Sequence, residues 1–429
     1  MDDLNRRWTV IEVDRLIDGL IPGNRGRHVI VLEGDTIRSM GHPEEVDVPT
    51  GPEVDHLQIP PNSTILPGLI DTHTHLTMNG SGVGLPVDLE SNDGVLLMQA
   101  AVSARIHLEA GITTVVDAGA RGRVAFELVE AARLGLVQTP RLLVAGRPIT
   151  RTGGHAWTMG EEADGVNEVS HAARQMLKDG ADFIKIMATG GGTPGTYPHL
   201  PSYRTEELAV AATEAHENGR IAVAHCSSTE GHRRCLAAGI DIIYHCHFYE
   251  PDGTLKFNDE VAKQLADSPV HVNPTLWING GRVASLRSKA EQQGLTADEE
   301  RLLQLRADRY AGQRENVGLL AQHGVKMIAG TDAGFAIYPF GDIVTELEEM
   351  VACGMSAGEV LLSATRIAAE ALRIDDLTGS LAPGMKADLL VVDGDPGTDI
   401  ASLRNVQAVI SNGAVVRNNG GLIAQDINA

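Results

Sequence analysis

The sequence predicts an α/β protein: a (β/α)8 barrel with a small discontinuous β-sandwich domain formed by the N- and C-terminal segments. Three observations lead there. Eight short apolar runs alternate with helix-like stretches from Ile65 onward, both ends of the chain have β character, and the 429 residues, 43% of them hydrophobic, suffice for a barrel of about 250 residues plus an appended unit.

Residues 1–63 form the first part of the expected sandwich, with short strands at 9–13, 28–37 and 56–60 punctuated by Gly, Pro and Asp. The barrel is expected over 64–375, with strands at 65–72, 112–118, 141–145, 182–188, 221–226, 240–246, 270–275 and 325–331. Helical spacing falls between them at 96–109, 123–134, 205–217, 229–238 and 342–352. The longest excursion, 276–322, inserts one helix before the regular helix that precedes strand eight. Residues 376–429 return to β character at 387–393 and 406–417 and complete the sandwich. GGGTPG at 190–195 lacks the Lys-Ser/Thr ending of a phosphate loop.

The formal charge is -22, from 35 basic and 57 acidic residues, a field that repels phosphate backbones and anionic membranes. Nucleic acid and membrane are therefore not expected as partners. A small-molecule substrate is, and so is a homo-oligomer. The four cysteines show no CxxC spacing, which fits a reducing compartment. The N-terminus has no apolar h-region and no run approaches about 18 apolar residues. The expectation is a cytoplasmic protein.

His73 and His75 stand two apart at the end of an apolar run, so on a strand both imidazoles project from one face. Alone, such a pair is more often an exposed turn. Lys185, inside DFIKIMA, would carry a large desolvation cost unless paired or chemically changed. A neutral buried amine can react with CO2 to give a carbamate, an anionic ligand able to bridge two cations; snorkelling at the strand end is the alternative. His225, His245 and Asp332 each end an apolar strand candidate. In an eight-stranded barrel these ends open onto one face, where such residues read as catalytic. Any one of them alone reads more readily as structural. Together, four imidazoles, Asp332, a modified lysine and a hydroxide suit two divalent cations, with Zn2+ first and manganese or cobalt as replacements.

The strings PGLIDTHTHL, GITTVVDAG, DFIKIMATGG, HCSSTEG, GTDAG and ATRIAAEALRIDDLTGSLAPGMKADLLVVDGDP resemble the amidohydrolase superfamily, and within it the imidazolonepropionase-like and prolidase-like branch, from about Ile65 to Pro396. The resemblance implies that His73, His75 and Asp332 hold one metal, that His225 and His245 hold the other, and that carboxylated Lys185 bridges them. It also implies a substrate-binding role for His155, which stands in the Gly-rich TGGHAWTMG; a surface turn is the alternative. Two positions depart from the pattern. Ser227 stands where a second histidine is common, and Tyr244-His245-Cys246 replaces Glu-His-Gly. His247 therefore competes with His245 as ligand. Cys226 and Cys246 each follow a proposed ligand and are read as small buried residues. Trp157, Tyr203 and Arg204 are candidates to line the pocket, with Arg204, Arg151 or Tyr203 as docking groups for a substrate carboxylate.

The expected reaction is hydrolysis of an amide bond by a water activated between two metals, with Asp332 accepting its proton and His155 stabilising the oxyanion. A dipeptide or N-acyl amino acid is the expected substrate. Alternatives are a cyclic amide, a xenobiotic amide or carbamate, and deamination, whose own branch typically binds one metal without a lysine bridge. A barrel retained only as a binding module is disfavoured by the presence of all six ligand candidates.

Overall fold

The strand expected at 65–72 divides at Gly68. In the computed structural model, which describes residues 8–80, 91–335, 338–418 and 421–422, Ser63–Pro67 pairs antiparallel with Leu389–Asp393. Leu69–Thr74 instead pairs parallel with Ile112–Asp117. A Cβ at Gly68 would lie 2.1 Å from Thr113 Oγ1, so glycine lets the backbone cross against the neighbouring strand. One unbroken apolar run thus serves two sheets, and hydrophobic pattern alone cannot mark the junction.

Eight segments carry the parallel pattern: β1 (Leu69–Thr74), β2 (Ile112–Asp117), β3 (Arg141–Val144), β4 (Phe183–Met187), β5 (Ile221–Ser228), β6 (Ile242–Tyr249), β7 (His271–Asn273) and β8 (Lys326–Met327). Strands β1 to β3 form one sheet, and β4 to β8 form another with the short strands Ile149–Thr150 and Glu161–Glu162. The two sheets are joined at both sides. Asp182 N donates to Val144 O at 2.9 Å, while Thr72 N donates to Ala329 O at 3.1 Å and Asp332 N to His73 O at 2.7 Å. The eighth strand is shorter than the expected 325–331, because beyond Met327 the backbone bonds alternately to β1, to β7 and to Ser363, as in Ile328 N to Val272 O and Ala329 N to Ser363 O.

Alternate residues on these strands enter two apolar layers, as a period of two requires. Ile70, Val116, Phe183, Val223, Ile242, Tyr244 and Ile328 share one cluster with Ala368, Ala369 and Leu372 of the helix Arg366–Leu372. Ile184, Ile186, Ala222, Ala224 and Ile243 face the other cluster, together with helix residues such as Ala172, Leu208 and Ala212. Helices Asp93–Glu109, Val124–Arg133, Thr205–Glu217, Thr229–Ala238 and Ile343–Ala352 fall within three residues of the expected bounds. The excursion after β7 holds two helices, Trp277–Gln293 and Ala297–Gln322. The second starts in a capping box of Thr296 and Glu299.

The ends of the chain contribute a four-stranded and a six-stranded sheet. Ile11, Leu32, Ile65, Leu389, Val391 and Ile410 from both sheets share one apolar cluster. Residues 1–7, where the absence of an apolar leader was read, and 423–429 of the expected closing segment lie outside the described residues. Among the described residues, no helix is long and apolar enough to cross a membrane.

Candidate metal centre

Among the described residues, His73, His75 and Asp332 form the one group of at least three His, Cys, Asp or Glu side chains whose ligand atoms all lie within 4.8 Å. The Nε2 atoms of His73 and His75 each stand 3.4 Å from Asp332 Oδ1. Beside this trio, the His245 ring is 5.4 Å from that of His73 and 4.5 Å from that of His225, and His155 is 4.4 Å from His225, all between centroids. The Lys185 ammonium lies 3.8 Å above the Tyr244 ring centre. All six expected ligands are buried.

Outer hydrogen bonds fix the tautomers of His75, His225 and His245. His75 Nδ1 donates to the Gly119 carbonyl at 3.0 Å, and His225 Nε2 donates to the Gly190 carbonyl at 3.2 Å. The Thr275 hydroxyl gives its proton to Pro274 O, so it accepts from His245 Nδ1 at 2.6 Å. A carbonyl or committed hydroxyl on one nitrogen leaves a lone pair on the other. That is the arrangement of metal-binding imidazoles.

Electrostatics agree. Burial holds His73, His225 and His245 well below the ordinary histidine range; the charges that add most are Lys185 for His73, His155 for His225 and His73 for His245. Burial, with Lys185 and His75, takes His155 down to about 3. Burial also pushes Lys185 well below the usual lysine range, and Asp332 only partly opposes it. Lys185 Nζ has no hydrogen-bond partner among the described residues. An unsatisfied buried amine beside neutral imidazole donors and a carboxylate is what a cation pair with a bridging anion would complete. These residues fit a metal centre.

The competition between His245 and His247 has a backbone cause. Ile242 and Tyr244 face the inner cluster, and strict alternation would turn His245 away. Positive φ at His245 (77°) and Cys246 (48°) breaks the alternation. His245 thereby joins His73 and His225, while His247 lies 5.7 Å beyond it, against Tyr249. Cys226 and Cys246 are buried in the outer cluster, as expected of small core residues.

Two of the four pocket candidates, Tyr203 and Arg204, are held by bonds elsewhere. Tyr203 is buried between strands and helices with its hydroxyl donating to Ala163 O at 2.9 Å. Arg204 is exposed at the N-cap of Thr205–Glu217, where its backbone amide donates to Glu207. Trp157 is 47% exposed in the turn after His155, and Arg151 is exposed. None of these four has a contact with the histidine cluster among the interactions of the described residues.

Sequence reasoning missed the supports. Asp71 is buried and accepts from Thr331 N, Thr331 Oγ1 and His73 N, tying β1 to the strand end that carries Asp332. Its place inside DTHTH was the available signal. Thr275 and Thr193 gave no signal, since each acts across the fold. The Thr193 hydroxyl meets His155 Nδ1 and Ala156 N, both at 2.9 Å.

The chain belongs to the amidohydrolase family, whose model matches residues 64–416. It is 26% identical over 378 residues to ochratoxinase of Aspergillus niger, covering 80% of this chain and 73% of that protein. A solved Xaa-Pro dipeptidase with methionine bound in its active site superposes with a TM-score of 0.81 at 29% identity, covering 95% of this chain and 99% of that one. A prolidase complexed with N-methylphosphonate-L-proline gives 0.80 at 25% identity, over 96% and 100% of the two chains. The protein is therefore an amidohydrolase, similar in structure to prolidases, and a hydrolase acting on carbon–nitrogen bonds.

Proposed function

We propose that the eight parallel strands close into a (β/α)8 barrel flanked by a two-sheet sandwich of the chain ends, and that the barrel mouth hydrolyses an amide bond of a dipeptide or N-acyl amino acid with two divalent cations. The observation that carries this reading is the burial of five candidate ligands, on or just past four strands, together with Lys185, whose amine has no polar partner among the described residues. The likeness to an Xaa-Pro dipeptidase and a prolidase supports the substrate class.

His73, His75 and Asp332 would hold one cation and His225 and His245 the other, with Lys185 as the shared ligand. The Lys185 amine adds to CO2: a nitrogen–carbon bond forms, a carbon–oxygen π bond opens to an oxyanion, and the nitrogen loses a proton. Two cations bound there, most suitably zinc, would supply a nucleophilic water at neutral pH and would polarise the amide carbonyl. Asp332 takes the proton of that water and passes it to the leaving nitrogen. The Thr193 hydroxyl accepts from Ala156 N and gives its proton to His155 Nδ1, so Nε2–H remains to donate to the developing oxyanion.

The test is metal analysis followed by a hydrolysis screen of the metal-loaded protein against Xaa-Pro, Xaa-Arg and N-acyl amino acid libraries. Two metals per chain with turnover that chelation abolishes is the expected result. A loaded protein inert across the library would overturn the substrate class, and one metal with unmodified Lys185 would favour an aminohydrolase.

A further inference from the structure

The helical excursion after β7 begins at the metal centre itself. Thr275, which orients His245, is followed by Leu276 and Trp277, whose amides donate to the buried Glu346 carboxylate at 2.7 and 2.8 Å. The helix Trp277–Gln293 is thus anchored at its first turn. Ile278 on it packs with Ala333 and Tyr338, immediately past Asp332. Arg282 lies four residues beyond Ile278, on the same face and one turn farther along.

The helix Ala297–Gln322 runs back along it. Asn279 Nδ2 donates to Gln313 Oε1 at 2.9 Å, and a Cβ at Gly280 would lie 2.7 Å from Tyr310 Oη, so the Tyr310 side chain fills the space that a glycine leaves open. Gln313, Tyr310 and Arg306 recur at helical spacing, which brings Arg306 to the same seam as Arg282. Burial lowers the Arg282 guanidinium from its ordinary value, the Arg306 charge adds to this, and Asp332 opposes it. Both guanidinium groups therefore lie within electrostatic reach of each other, and Arg282 within reach of the metal centre. Neither has a hydrogen bond or ion pair among the described residues, in a chain with 57 acidic residues available to pair with. Two neighbouring, partly buried, unpaired arginines call for an anion.

We propose that Arg282, backed by Arg306, docks a carboxylate of the substrate, so the site selects amides carrying a free carboxylate over neutral ones. This deepens the amide-hydrolase reading and rests on it for the identity of the reacting bond. The guanidinium fork matches a carboxylate in the plane, and Arg282 stands one turn beyond Ile278, which packs with Ala333 next to Asp332. The role expected of Arg204, Arg151 or Tyr203 falls to the excursion after β7.

The test uses the metal-loaded full chain with a panel of N-acetyl-L-amino acids and their carboxamides. Binding is measured by calorimetry and turnover by amine release, for wild type, Arg282→Met, Arg282→Lys and Arg306→Met. Wild type should prefer the carboxylates, Arg282→Met should lower that preference about tenfold or more, Arg282→Lys should restore part of it, and metal content should stay constant. An unchanged carboxylate-to-carboxamide ratio in Arg282→Met would overturn the proposal. Wild type that binds the carboxylates through Arg282 yet cleaves no amide would leave the docking role standing and sink the amide-hydrolase reading.

Discussion

The Thr275 hydroxyl accepts a hydrogen bond from His245 Nδ1 at 2.6 Å, so the loop leaving β7 sets the ring plane of a residue on β6. Thr275→Val removes the acceptor and keeps the shape. Metal affinity should fall about 10–100-fold, the usual effect of losing an imidazole's outer partner, measured by competition with a chelator of known strength. Unchanged affinity would mean that the bond does not orient a ligand.

Asp332→Asn keeps an oxygen beside His73 and His75 but removes the proton acceptor. Metal content by elemental analysis should remain near that of wild type while turnover drops about 10²–10⁴-fold. A variant retaining both would remove Asp332 from the proton path.

Lys185→Ala should lower activity at least about a hundredfold, beyond the upper end of the effect of an outer partner, and reduce metal content. Because a bridging carbamate presents a carboxylate, added acetate or formate should restore activity to this variant. No rescue, with two metals still bound, would argue against the carbamate.

Gly191 has room for no side chain: a Cβ there would lie 2.6 Å from His155 Nε2. Gly191→Ala should displace the ring and lower kcat/KM about a hundredfold without changing metal content. Equal kinetics would detach His155 from catalysis.

His271, on β7, has its pKa lowered to about 4 by burial and by Lys326, with Asp241 opposing. Folding must keep this ring neutral, so the unfolded chain binds more protons between pH 6.5 and 4. Its contribution is complete above pH 6.5 and is lost as pH falls through that window, by at most about 2 kcal/mol after solvent screening. Urea unfolding of His271→Gln at pH 7.5 and 5 should show a smaller acid-side loss than wild type; an identical loss would refute the assignment.

The strand and helix pattern was legible because period two and helical spacing are written in single segments, and Thr205–Glu217 and Thr229–Ala238 coincide with the expected bounds. The candidate ligands were legible for a related reason: each ends an apolar run, and strand ends share one face. What escaped was non-local. The break of alternation at His245 is a backbone conformation, and the division at Gly68 depends on Thr113 lying across it. Tyr203 read as a pocket residue because its hydroxyl's partner, Ala163, is forty positions away. Arg282 gave no signal in the chain, since the charges that act on it, Arg306 and Asp332, come from a second helix and a strand end far along the sequence.

Gly68 alone separates the strand that pairs with Leu389–Asp393 from the strand that leads into His73 and His75. At that one glycine, packed against Thr113, the terminal sheets continue directly into β1. They act as a brace on the first two imidazoles. Excising the chain ends would release β1 at its root and is expected to loosen His73 and His75.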